Sequence, residues 1–289
     1  MFAGGPSPPR PAPLAASAQS AILERTRGAL SLAFSCAPDG AAPVRLHQEG
    51  ALKVRLPTVH GERSRQAIVI NTAGGLTGGD RLDLDVTLEP SAAVTISSQA
   101  CEKLYKSSGG DATIHTALAV APGANLEWLM QPAILFDGAR LARKVTANIA
   151  VGGRLLAVES IVFGRTAMSE DVTRGAVSDS WRLRRDGKLI YADSFRLEGD
   201  IRAALDRPSV LDGHRAMASL IYVGDNAVER CAAVRAILGD MPHCIAAASA
   251  WNGLMAARIV SPDGYALTRD LIDLLTRFRN AKMPRPWMI

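Results

Sequence analysis

Carboxylates set among apolar residues carry most of the chemistry this sequence offers. Glu159 lies inside Leu155-Leu156-Ala157-Val158-Glu159-Ser160-Ile161-Val162-Phe163, where burial without a partner would be costly. It must face solvent, an arginine or an internal wet cavity, and Arg165 is the nearest candidate partner in the chain. Asp83 and Asp85 share one face of the alternating run Leu82 to Leu88. That face is either solvated or the paired-carboxylate site of a sugar hydrolase. Asp80 closes the stretch Gly74-Gly75-Leu76-Thr77-Gly78-Gly79-Asp80, and Asp137 precedes Gly138 in a hairpin signal. Asp80 either caps backbone N–H groups of a wide turn or is a placed carboxylate on a surface that glycine brings into close approach.

Other chemistries find little support. A phosphate-cradling loop needs Lys and Ser/Thr after its last glycine and a helix behind it; here Asp80 stands in the lysine's place and a strand follows. The dinucleotide spacing does not fit Gly74, Gly75, Gly78 and Gly79 either. His47, His60, His115, His214 and His243 share no ligand spacing, and the dipeptide His243-Cys244 reads more readily as a loop than as a metal site. No nucleophile elbow is present. Cys36, Cys101, Cys231 and Cys244 are far apart and read as reduced thiols of a cytoplasmic protein.

The elements that must position these groups are strands. Residues 29–34, 44–47, 52–56 and 67–70 alternate or run apolar, and no amphipathic helix is visible before residue 200. A strand, a short Pro/Gly/Ala turn and a second strand then recur, with turns at Glu89-Pro90-Ser91-Ala92, Ala121-Pro122-Gly123-Ala124 and Ala150-Val151-Gly152-Gly153. A repeat of that kind predicts stacked coils with a continuous apolar interior. Pro132 confines its segment to an edge or bend, and Trp181 to Asp193 is a hairpin turning at Asp186-Gly187. Past Asp200 come a strand at 217–223, a helix at 227–238 with Val228, Cys231, Val234, Ile237 and Leu238 on one side, and two short runs. A second helix carries Leu267, Leu271, Leu274, Leu275 and Phe278, followed by an extended tail. The fold class expected is mainly β, with layered, solenoid-like mixed sheets and a small C-terminal α+β portion. Residues 1–26 form a disordered Pro/Ala-rich arm, 27–200 the layered body, and 201–289 an α+β portion packed on it.

The chain has 289 residues, 48% of them hydrophobic, and a formal charge of +5 without any dense Lys/Arg block. With only 5% aromatic residues, this suits an acidic protein partner better than a nucleic-acid groove. Every apolar run is broken before it could span a membrane, and the prolines of the arm exclude a secretory signal.

Several stretches in sequence order resemble the urease accessory protein D family, called H in some bacteria. They are Gly-Gly-Leu-Thr-Gly-Gly-Asp-Arg at 74–81, Lys103 to Ser107, Glu127 to Pro132 with Phe136-Asp137-Gly138-Ala139, Glu159-Ser160 with Phe163-Gly164-Arg165, and Trp181-Arg182 through Gly187. The resemblance runs from about residue 28 to 280, and the glycine loop and Phe-Asp-Gly-Ala are its most specific marks. It implies a non-enzymatic maturation factor that binds the urease apoprotein and the accessory proteins F and G. Such a factor has no permanent cofactor and gives nickel in transit a path to the urease site. Weak oxygen ligands suit an ion that must move on. Asp80, Asp137 and Glu159 are then expected to line that passage, with Asp83 a weaker candidate. A β-solenoid carbohydrate hydrolase or lyase is the alternative.

Overall fold

The computed structural model describes residues 1, 24–37, 40–59, 64–165, 168 and 170–288. The expected disordered arm falls, at residues 2–23, outside the described residues. The strands in chain order are β1 (Arg27–Ala37), β2 (Gly40–Gly50), β3 (Leu52–Arg55), β4 (Arg65–Asn71), β5 (Arg81–Leu88), β6 (Ala93–Ser98), β7 (Glu102–Leu104), β8 (Ala112–Val120), β9 (Asn125–Leu129), β10 (Ala133–Leu135), β11 (Arg140–Ile149), β12 (Arg154–Phe163), β13 (Arg174–Arg185) and β14 (Lys188–Asp200). A short helix α1 (Ile201–Leu205) leads to β15 (Ala216–Val223), α2 (Ala227–Gly239), β16 (Ile245–Trp251), β17 (Leu254–Ser261) and α3 (Gly264–Arg279).

The turn repeat winds a solenoid. Each of the three Pro/Gly/Ala turns carries the chain from a first sheet to a second, so that β5, β8 and β11 stack in parallel in one and β6, β9 and β12 in the other. The turns stack too: Ser91 N–H donates to Pro122 O and Gly123 N–H to Gly152 O. Among the described residues the first sheet runs β14-β13-β11-β8-β5-β1-β2 and the second β16-β17-β15-β12-β9-β6-β4-β3, with β7 and β10 at its corner. Alternation sends Leu82, Leu84, Val86 and Leu88 inward from β5, and Leu155, Ala157, Ile161 and Phe163 inward from β12. Trp128 and Trp181 fill the space between the sheets. Each large apolar side chain buried there contributes about 1.5–3 kcal/mol.

The C-terminal strands extend the second sheet: β15 pairs antiparallel with β12 along eight residues, and β17 with β15. Helices α2 and α3 cover the outer face, where Leu267, Leu271, Leu274, Leu275 and Phe278 pack on Leu156, Val158 and Val162. Asp263 caps α3 by accepting from Ala266 N–H at 2.8 Å, and Asn280 ends it in a left-handed conformation. Three local expectations are corrected. Val228 is 72% exposed, because α2 turns Ala227, Cys231, Val234 and Ile237 inward instead. The tail closes in a 3-10 turn at Arg285–Met288, since Trp287 is buried with its indole N–H donating to Ser97 Oγ and Leu129 O. Asp137-Gly138 links β10 of one sheet to β11 of the other, so it forms a corner and no hairpin.

Candidate functional site

Inward positions on β11, β12 and β13 follow the apolar phase of their strands except at one level. Arg143 interrupts Leu141 and Val145, Glu159 interrupts Ala157 and Ile161, and Asp179 interrupts Val177 and Trp181. All three are buried. Arg143 holds Asp179 in a two-pronged pair, Nε to Oδ1 at 3.0 Å and Nη2 to Oδ2 at 2.7 Å, and reaches Glu159 Oε2 through Nη1 at 2.5 Å. Trp128 Nε1 donates to Glu159 Oε1 at 2.8 Å. Arg165, the partner expected from proximity in sequence, instead binds Glu170 outside the core. Burial pushes the Glu159 carboxyl up, against the pull of Arg143 and the Trp128 N–H. Burial also opposes the charge of Arg143, but Asp179 and Glu159 outweigh it and hold the guanidinium more firmly protonated than usual. One guanidinium therefore faces two carboxylates, and the cluster is short of one positive charge.

Arg143 and Glu159 of that cluster line the floor of a cavity of about 300 Å³ between the sheets. Leu82, Ile114 and Thr116 wall it on one side and Val69, Trp128 and Met130 on the other, while Gly74, Gly75 and residues 99–103 form its rim. At the rim Glu102 receives Asn71 Nδ2 on both oxygens, at 3.0 and 3.1 Å. Burial raises its carboxyl to about 7, with Asn71 pulling the other way. Cys101 lies beside it, 3.7 Å from Gln131 Oε1, and burial pushes its thiol up. On the far side of Glu159 the polar level continues. Ser219 on β15 is the register neighbour of Glu159, and Arg258 on β17 that of Ser219. Arg258 Nη2 donates to Asp193 Oδ2 on β14 at 2.5 Å. One polar layer thus runs from the floor of the cavity through Ser219 and Arg258 to Asp193 on β14.

The four carboxylates singled out from the sequence do not gather. Asp80 is buried, but its oxygens accept Thr26 N–H and Thr77 N–H, both at 2.8 Å. Asp137 Oδ1 accepts Thr173 N–H, Thr173 Oγ1 and Arg174 N–H at 2.7 to 3.0 Å, and these donors lower its pKa, the Arg174 amide most. Both pin solenoid corners, and neither lines the cavity. Asp83 does share an outward face with Asp85, but Arg81 clamps it at 2.7 Å and keeps its pKa low. A carboxylate so held makes a poor proton donor for glycoside hydrolysis. Among the described residues no three His, Cys, Asp or Glu side chains form a group that could hold a metal ion. Glu102 had no sequence signal. Arg143 and Asp179 had one: each is a charge at the inward phase of an alternating strand.

A family profile described as UreD urease accessory protein matches residues 26–288. The chain belongs to that family. Relatives named "Urease accessory protein UreD" agree along nearly their whole length. The one from Xanthobacter autotrophicus is 40% identical over 281 residues, covering 97% of this chain and 96% of its own. That from Rhizobium johnstonii is 42% identical over 252 residues, 86% and 90% of the two chains. That from Brucella suis is 41% identical over 279 residues, 93% and 97%. This UreD-family chain has no helix, among the described residues, long and apolar enough to cross a membrane.

Proposed function

We propose that this chain serves urease maturation in the cytoplasm without catalysing a reaction of its own. It binds the urease apoprotein together with accessory proteins F and G, as a scaffold and as a conduit for nickel in transit. The observation that carries the conduit is the charge balance at the cavity floor, where Arg143 leaves one of two buried carboxylates uncompensated and Glu159 faces the void. A buried negative excess beside open volume favours a cation. Carboxylate oxygens hold a borderline ion such as Ni²⁺ loosely enough to release it, as a thiolate–imidazole cage would not. In this reading Glu102 is the first carboxylate an incoming ion meets, Glu159 the second, and the layer through Ser219 to Asp193 continues the path. The proposed passage therefore rests on Glu159 among the expected residues, with Asp80, Asp83 and Asp137 outside it.

The test is Glu159→Gln, which keeps size and hydrogen bonding and removes the charge. Pull-down with F, G and apo-urease checks the assembly, and metal analysis of the urease recovered checks the path. The expected result is an intact assembly whose urease carries several-fold less nickel. Normal loading by Glu159→Gln would sink the conduit, and failure of the unaltered chain to join F, G and apo-urease would sink the partnership.

A further inference from the structure

The glycine loop does more than form part of the cavity's rim: it fixes Lys103, Tyr105 and Lys106 beside the mouth. Leu76 N–H donates to Lys103 O and Tyr105 N–H to Leu76 O, both at 2.7 Å, so the loop pairs with the end of β7. Thr77 Oγ1 donates to Lys106 O at 2.9 Å, and Lys106 bridges to Ala139 on its other side. The Tyr105 ring lies over Gly75, where any Cβ would run into it, and its hydroxyl donates to Gly74 O at 3.3 Å. Phe136 meets that ring edge-on, with centroids 5.1 Å apart. Tyr105 is nevertheless 41% exposed, and the exposed Lys103 and Lys106 flank it. Among the described residues neither ammonium group forms an ion pair. The acids nearby are turned to other partners: Glu102 takes Asn71, Asp137 accepts the amides of Thr173 and Arg174, and Glu170 holds Arg165. Arg25, laid across Gly79, adds a third cation, and its Nη2 meets Ser108 Oγ at 3.5 Å.

The geometry points to this ridge as the docking site for an acidic segment of a partner protein, laid across Tyr105 with its carboxylates on Lys103 and Lys106. A tyrosine ring already held at its face and its hydroxyl offers apolar contact at little further cost in entropy, and such residues dominate interface energetics. Both lysine backbones are tied down by the loop, and the Lys106 stem lies so close to Gly138 that a Cβ there would meet its Cγ at 2.9 Å. Less freedom is then lost when the ammonium groups are engaged. Charge sets the sign of the partner, because cations without counterions attract and orient an acid. Nucleic acid fits less well: a single exposed ring, with Asp137 and Glu170 set among three cations, makes no continuous track for a phosphate backbone. Lys103 also lines the cavity, so a segment docked here lies against its mouth. Docking does not require that the cavity carry metal, and it stands or falls separately from the conduit.

The experiment uses the full chain and, as probe, a short glutamate-rich peptide with a central leucine, with a single-stranded oligonucleotide for comparison. Acetylation of the lysines, read by mass spectrometry, maps the contact, with Lys53, Lys144, Lys188 and Lys282 as internal references. The expected result is saturable binding that weakens as salt rises, with Lys103 and Lys106 protected and the other lysines unchanged. Lys103→Glu combined with Lys106→Glu should weaken it at least about tenfold, since like charges would then face each other. Tyr105→Ala should weaken it several-fold. In the assembly with F, G and apo-urease the same two lysines should be protected. Equal protection of all the lysines, tighter binding of the oligonucleotide, or an assembly that leaves Lys103 and Lys106 as reactive as in the free chain would overturn the proposal. Should the unaltered chain join none of those proteins, the partnership fails on its own, and the footprint of the acidic peptide still decides the ridge. That footprint is read on the unaltered chain, so it holds even if a variant does not fold.

Discussion

Replacing Arg143 by Met would leave Glu159 and Asp179 without their shared counterion in a site closed on most sides by strands. Breaking a buried ion pair at one partner costs about 3–5 kcal/mol, because a charge is stranded. Glu159→Gln strands none and should cost about 1–3 kcal/mol. Denaturant midpoints of the two variants compare these directly, and an Arg143→Met chain as stable as its parent would mean that water already compensates the cluster. Glu102 gives a pH signature. Its folded pKa of about 7 stands above the ordinary 4.5, so the native state holds a proton that the unfolded chain has released. The stabilisation is complete below the ordinary value and disappears as pH rises through about 7. Glu102→Gln should therefore flatten stability against pH across that window and be the more stable form at about pH 8. An unchanged pH slope would show that the rim is wetter than its burial implies. Glu159 was legible as an anomaly because it breaks an apolar run. Its true partner lies on a different strand in the other sheet, a relation that proximity in sequence could not supply and that Arg165 wrongly suggested.

Glycine does two different jobs at the solenoid corners. Gly78 has ordinary dihedrals, but a Cβ there would meet Ser107 Oγ at 1.9 Å and the carbonyls of Gly109 and Gly110 at 2.5 Å. Gly74 has open space around it and a φ of +75°. Gly78→Ala must push two backbone segments apart, at about 1–3 kcal/mol for overpacking. Gly74→Ala meets only the left-handed penalty of about 1–2 kcal/mol. Thermal unfolding of both variants should rank Gly78→Ala as the more damaging, and the loop at 107–110 should then lose amide protection from hydrogen exchange. The reverse ranking would mean that the loops are not in backbone contact. The Pro/Gly/Ala turns were readable because each coil writes one. The opposite corners were harder to read, since β7 and β10 are three residues long and too short to show a period. Asp137-Gly138 has hairpin chemistry, and only the sheet membership of its neighbours shows that the chain changes layer there.

A change of residue pattern near Asp200 suggested a boundary between a β body and a smaller α+β portion, yet hydrogen bonding runs straight through it. The pairing of β12 with β15 links segments some sixty residues apart along eight consecutive positions, and no local period records which edge a later strand will join. Arg279 Nη2 donates to Glu127 Oε2 at 2.8 Å, and Trp287 is inserted beside β6 and β9, so the last turn of the chain also ties back to the solenoid. A chain ended at Asp200 would expose the backbone edge of β12 together with Leu156, Val158 and Val162, which α3 and its neighbours now cover. An open apolar strand edge is a template for aggregation. The shortened chain is therefore expected to be insoluble or to elute as large, heterogeneous assemblies, with Trp128 and Trp181 fluorescence shifted toward that of solvent-exposed indole. A monomer of residues 24–200 that unfolds cooperatively would show that the first coils stand alone and that the shared sheet is a junction between two separable units.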